Sequence, residues 1–206
     1  MTLWDDHYFN QEKLENWLYG KDSLEGQTRK WFVSEAKKWP PGIEFLDAGC
    51  GGGVTAYQLA QAKVLDKIKY TGVDFSKCML DLAQKMVKHP NAKWICSPLE
   101  IFSSTEEFDR VLLRAVLEHN FDPEPVLKNM LAALKKTGML YIVFWNNPSL
   151  GESIVAKTPE GFYDIAHSRR KLEKIVELEG FHVRFYHSVQ ENSARSSWRD
   201  AWMITR

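Results

Sequence analysis

The 206-residue chain carries 27 Lys and Arg against 27 Asp and Glu, a formal net charge of zero. That balance argues against a nucleic-acid or anionic-membrane partner, which would show a basic excess. The length suits a single domain, 1–206, with a sizeable core. Cys50, Cys78 and Cys96 form neither an even set nor a CxxC pair, so neither a disulfide framework nor a zinc site is expected, and no metal is implied. No basic-then-apolar leader opens the chain, and the apolar run Met139 to Trp145 is too short to cross a bilayer. A soluble, cytoplasmic domain is expected.

In chain order, residues 1–40 hold Trp4, Tyr8, Phe9, Trp17 and Tyr19 among acids, then a predicted helix from about Gln27 to Trp39 that includes Arg29. An apolar strand from Ile43 ends at Asp47 and breaks into glycines; a helix over Val54 to Ala62 follows. Lys69 to Asp74 reads as a second strand. Ser76 is placed to cap a helix whose apolar stripe is Met79, Leu80, Leu82, Ala83, Met86 and Val87. Lys93 to Cys96 and Phe108 to Arg114 are the third and fourth strands. Asp122 and Pro123 open the next helix as cap and first turn, and Gly138 is expected to end it before the fifth strand, Met139 to Trp145. That strand is apolar throughout, as when helices cover both faces. Pro148, Gly151, Pro159 and Gly161 mark a long connection over 146–167. A helix over Ser168 to Glu179 stops at Gly180. Alternation through Phe181, Val183 and Phe185 predicts a strand near a sheet edge, and Trp198 to Thr205 the last strand. The expected fold is α/β: a doubly wound, Rossmann-like, mostly parallel seven-stranded sheet with helices on both faces, binding ligands at the strands' carboxyl ends.

The most informative stretch is Asp47-Ala48-Gly49-Cys50-Gly51-Gly52-Gly53. Glycines at alternate positions let a ligand lie against bare backbone. The dinucleotide fingerprint Gly-x-Gly-x-x-Gly/Ala fails here, because Val54 stands at its third position. A carboxylate before the first glycine would also repel phosphate, whereas it suits a cationic ligand. The motif resembles the first motif of class I S-adenosylmethionine-dependent methyltransferases, of the small-molecule type. Further motifs follow in the family's order. Gly72-Val-Asp74-Phe-Ser resembles the second-strand motif, and Phe108-Asp109 through Val116-Leu117-Glu118-His119 the fourth. Leu134-Lys-Lys-Thr-Gly138-Met resembles the turn before the fifth strand, with Thr137 for the usual proline and Met139 for a glycine. Gly180-Phe181 also fits. The resemblance covers about three quarters of the chain.

The resemblance implies a methyl donor, S-adenosyl-L-methionine, leaving as S-adenosyl-L-homocysteine. Its implied cradle is Asp47, Ala48, Gly49, Cys50, Gly51 and Gly53, with Asp74 on the ribose hydroxyls and Phe75 and Met79 against the adenosine. Many relatives carry an acid after the third strand for the adenine amino group. Here Ser97-Pro98-Leu99-Glu100 takes its place, so Ser97, Pro98, the Leu99 backbone or Glu100 serves instead. Arg29 is a candidate for the donor's carboxylate or a solvated helix residue. Arg114, at the fourth strand's tip, steers an acceptor, contacts the donor or is a surface charge. His119 is the candidate general base, with a suitable intrinsic pKa; a structural role is the alternative. Candidate acceptor walls are Trp4, Tyr8 and Tyr19 in an N-terminal lid, and His119, Trp145, Asn146, Tyr163 and His167 around the long connection. The partner implied is a small-molecule substrate. RNA or protein methylation and a non-catalytic donor-binding module remain alternatives.

Overall fold

The computed structural model describes residues 24–146, 153–157, 163–192 and 195–206. Trp4, Tyr8 and Tyr19 lie outside them. Tertiary contacts cluster into two compact units, Met1–Leu99 and Glu100–Arg206.

The first unit contains α1 (Leu24–Lys37), β1 (Glu44–Ala48), α2 (Val54–Gln61), β2 (Lys69–Asp74), α3 (Lys77–Met86) and β3 (Ala92–Cys96). The first helix begins three residues before the predicted start and ends two before the predicted end. β1, β2 and β3 pair in parallel, with Asp47 opposite Gly72 and Asp74 opposite Cys96. Both acids therefore stand at or next to the carboxyl end of their strands. The Ser76 side chain accepts from the Met79 N–H, capping α3 as the sequence predicts.

A chain of rings packs this unit: Phe32 on Trp39 at 5.7 Å, Trp39 on Phe45 at 5.2 Å, Phe45 on Tyr70 at 5.6 Å and Tyr70 on Trp94 at 5.3 Å. Edge-on and tilted pairs of this kind each add about 0.5–1.5 kcal/mol beyond the area they bury. Trp94 lies over Gly72, where a Cβ would meet the indole at 2.7 Å and the Cys50 sulfur at 3.0 Å. Gly72→Ala is expected to destabilise the fold by about 1–3 kcal/mol through overpacking. The roughly 0.5–1 kcal/mol that alanine gains over glycine in a strand does not offset this. Urea midpoints would show it, and Trp94→Leu in the same chain should recover part of the loss.

The second unit contains β4 (Phe108–Arg114), α4 (Pro123–Ala133), β5 (Leu134–Asn146), β6 (Ile154–Lys157), β7 (Tyr163–Ala166), α5 (Arg169–Leu178), β8 (His182–Asn192) and β9 (Arg195–Thr205). Asp122 caps α4 by accepting from the Glu124 N–H, with proline in the first turn, as predicted. β4 and β5 are parallel, whereas β5–β9 and β8–β9 are antiparallel. The seven-stranded sheet runs β3-β2-β1-β4-β5-β9-β8, which puts β8 at an edge as expected.

Three expectations are corrected. The helix before β5 stops at Ala133, not Gly138, because Leu134 is already extended and pairs with Phe108. The next pair is Met139 with Arg110, so residues 135–138 loop out opposite Asp109. Gly138 seats that loop, since a Cβ there would be 2.9 Å from the Lys135 carbonyl and 3.1 Å from that of Phe108. An apolar Leu134 satisfies a helical stripe and a strand core equally, so periodicity could not place the boundary. The last strand starts at Arg195 rather than Trp198. The 146–167 connection carries an antiparallel pair, β6 and β7.

Candidate functional site

In the first unit the glycine turn has the backbone its sequence demands. Gly49, Gly51 and Gly53 sit at φ 73°, 51° and 81°, in the left-handed region that side chains disfavour. Gly53 has a second constraint: a Cβ would lie 2.8 Å from that of Ala83. The amides of Gly49, Cys50, Gly51 and Gly53 are bound within the protein. Gly49 and Cys50 N–H both donate to the Val73 carbonyl, and Gly53 N–H donates to that of Cys50. Gly51 N–H donates to Asp74 Oδ2 at 2.8 Å, while Asp74 Oδ1 accepts from Ser76 N–H at 2.9 Å. The turn thus presents Cα surface rather than a cradle of amide donors, unlike a phosphate loop.

Asp47 is buried, and its Oδ2 accepts from the Tyr70 hydroxyl at 2.6 Å. Ala48 is fully buried beside it. Burial, then the nearby Asp47 and Asp74 carboxylates, push the Cys50 thiol well above its ordinary pKa, so it stays protonated and unreactive. Met79 packs on the turn, its Cε 3.6 Å from where a Gly51 Cβ would be. Phe75 follows Asp74 with 45 % of its surface exposed, an unusual place for a large apolar ring. Ser97 N–H donates to the Asp74 carbonyl and its hydroxyl to that of Pro98, with Leu99 buried beyond. Arg29 is buried in α1, which removes its reading as a solvated residue.

In the second unit, β4 ends at Arg114, which is half-buried. Ala115 then adopts φ 54°, rare for a residue with a Cβ, and turns the chain into a short 3-10 segment, Leu117–His119. Successive side chains diverge there. Glu118 turns inward to a buried ion pair with Arg199, 3.1 Å between Oε1 and Nη1. The Arg199 guanidinium in turn lies over the Trp145 ring at 5.1 Å. His119 is half-buried, its Nδ1 3.2 Å from the Tyr163 carbonyl and 3.5 Å from Asp164 Oδ1. Tyr163 and Phe121 pack edge to face at 4.9 Å and are both exposed. Glu100 Oε1 accepts from Asn120 Nδ2 at 2.8 Å.

Asn146 and His167 form a bridge between β5 and the end of β7 and are both buried. His167 Nε2 reaches the Leu117 carbonyl at 2.6 Å, so the ring ties β7 to the 3-10 segment. Burial lowers the His167 pKa from 6.5, keeping the ring neutral in the fold. The unfolded chain therefore takes up this proton first. The contribution to stability is complete above about pH 6.5 and is lost as pH falls from there towards the folded pKa. His167→Gln should flatten this acid-side fall in urea midpoints measured below about pH 6.5.

Residues 40–182 match the family described as the methyltransferase domain. The chain belongs to that family. This methyltransferase is 27% identical over 170 residues to a ubiquinone biosynthesis O-methyltransferase of Coxiella burnetii, covering 72% of this chain and 70% of the relative. Among solved structures it is similar to the cyclase SpnF, with TM-score 0.74 and 16% identity over 91% of this chain and 84% of that one. It also resembles the 1,6-didemethyltoxoflavin-N1-methyltransferase of Burkholderia thailandensis, solved with S-adenosylhomocysteine, with TM-score 0.66 and 19% identity over 95% and 86% of the two chains. At such identities the structural likenesses concern the fold, and a cyclase among them shows that one fold hosts different reactions.

Among solved structures of this fold, the Burkholderia enzyme holds S-adenosylhomocysteine and a glycopeptide N-methyltransferase holds S-adenosylmethionine. Residues of the first unit fit such a ligand. Amides bound internally suit a ligand without phosphate, and the exposed Phe75 ring directly follows an acid that ends its strand. Tyr70, Trp94, Asp164 and Arg199 were missed in the sequence. The signal for Arg199 was a charged pair, Arg199-Asp200, set between Trp198 and the apolar run Ala201 to Ile204.

Proposed function

We propose that this methyltransferase transfers the methyl of S-adenosylmethionine to a hydroxyl oxygen of a small-molecule acceptor. The observation that carries this reading is His119, held at the turn after β4 with its Nδ1 towards the Tyr163 carbonyl. An Nδ1–H that donates to a carbonyl leaves the lone pair on Nε2, the arrangement of a proton acceptor. A hydroxyl, unlike an amine free base, starts protonated and needs one. The O-methyltransferase name of the Coxiella relative supports the same choice of atom.

Asp74 would accept the ribose hydroxyls, Phe75 and Met79 would cover the adenosine, and Asp47 would stand towards the positive end. Gly49, Gly51 and Gly53 would allow the close approach, and Ser97 and Leu99 would meet the adenine. When bound, the donor supplies an electrophilic methyl on a sulfonium. Arg114, Trp145 and Tyr163 are acceptor-wall candidates in the second unit. The neutral charge balance supports a small acceptor over RNA, and no described helix is long and apolar enough to cross a membrane.

The test uses donor with a deuterated methyl group and a fractionated cell extract. Mass spectrometry should find the label as a methyl ether in the low-molecular-mass fraction, and His119→Ala should lower its yield roughly 100-fold or more. Label in RNA or protein alone would overturn the reading. So would tight donor binding with no transfer at all.

A further inference from the structure

We infer that Asp164, which β7 carries beside the 3-10 segment, is a positioning residue that holds His119 in the tautomer needed to take a proton from a hydroxyl acceptor. This deepens the functional reading above and rests on it. Two oxygens of one strand face one ring nitrogen: the Tyr163 carbonyl at 3.2 Å and the Asp164 carboxylate at 3.5 Å from His119 Nδ1. Were Nδ1 unprotonated, its lone pair would confront both oxygens, one of them fully charged. With Nδ1–H the carbonyl accepts a hydrogen bond and the carboxylate faces the positive side of the ring, so the basic lone pair is confined to Nε2.

The strand carrying these oxygens is fixed by contacts independent of His119. His167 Nε2–H donates to the Leu117 carbonyl, and His167 N–H donates to that of Trp145. Tyr163 pairs with Lys157 and Asp164 with Ala156 in the β6–β7 ladder. Asp164 is about three-quarters buried, with its carboxylate partly withdrawn from solvent screening.

The chemistry balances on these groups. As the acceptor's oxygen bonds to the methyl carbon, the carbon–sulfur bond breaks and its electron pair stays on sulfur. The hydroxyl proton passes to His119 Nε2, and the ring becomes an imidazolium whose Nδ1–H still points at Tyr163 and Asp164. The Asp164 carboxylate faces that charge and compensates it, as the carboxylate of a catalytic triad does for its histidine. The proton then leaves to water.

Nitrogen-15 NMR of the protein without donor or acceptor tests this directly, with His119→Gln assigning the ring. In the neutral ring, His119 should show a protonated Nδ1 and an unprotonated Nε2. Asp164→Ala should raise the Nε2–H fraction several-fold, and Asp164→Glu should restore the native distribution. The His167 signals should stay in place in each variant, and S-adenosylhomocysteine should bind each within about twofold of native, as calorimetry would report. If Asp164→Ala does not fold, Asp164→Asn carries the same comparison at constant shape. A native ring protonated at Nε2, or a tautomer balance indifferent to the loss of the carboxylate, overturns the proposal. Neither readout uses methyl transfer, so a failed transfer assay would count against the functional reading while leaving the positioning role standing on its own result.

Discussion

Asp74→Ala is expected to weaken binding of S-adenosylhomocysteine at least about 100-fold, as read by calorimetry. A hydrogen bond to an ionised partner is worth about 1.5–3 kcal/mol, and two to a ribose diol would be lost together. The structure adds a second effect. Asp74 accepts from Gly51 N–H at 2.8 Å and Ser76 N–H at 2.9 Å, so alanine also releases the glycine turn from β2 and removes an acceptor at the start of α3. Asp74→Asn separates the effects, because one amide face keeps an acceptor while the other sets donor against donor. It should bind better than alanine and far worse than native. Native affinity in Asp74→Ala would remove Asp74 from the donor site.

The largest loss of stability is expected for Arg199→Ala. Arg199 and Glu118 have side chains only 3% exposed, and they join the turn after β4 to β9 across 81 residues of chain. Removing one partner leaves a buried carboxylate uncompensated, at a cost of about 3–5 kcal/mol. Domains of this kind have only about 5–15 kcal/mol in total, so the variant should be marginal at room temperature. Loss of the Arg199–Trp145 stacking adds to this. Replacing both partners, as Glu118→Gln with Arg199→Met, should cost much less than Arg199→Ala because no lone charge remains. Urea denaturation of the three variants would decide it. A single and a double variant of equal stability would mean that the charge is solvated or shared elsewhere.

The glycine turn and its flanking acids were more legible than the surroundings of His119 for a physical reason. Asp47, the alternating glycines, Asp74, Ser76 and the Asp122–Pro123 start are local devices. Ser76 and Asp122 accept from amides two or three residues on, and the glycines meet the left-handed backbone of their own turn. These residue types therefore stand at fixed spacing, while Asp47 and Asp74 mark strand ends. The 3-10 segment was legible as a motif, but the roles of its members were not. Glu118 needs Arg199, and His119 meets Asp164 only because the 146–167 connection folds back as paired strands. The proline and glycine marks in that connection announced an irregular segment and concealed two short strands. The boundary of β5 was lost because Leu134 would be buried in either conformation.

By itself the sequence determined the α/β class, the order of the strands along the chain, the left-handed glycine turn and the acid at the end of β2. These follow from steric limits and from periodicities that act over neighbouring residues. Only the tertiary structure decided which buried acid meets which cation, that Tyr70 grips Asp47, and which oxygens face the His119 ring. Those pairings join residues far apart in the chain, and their energies come from desolvated charge, which has no signature until burial creates it.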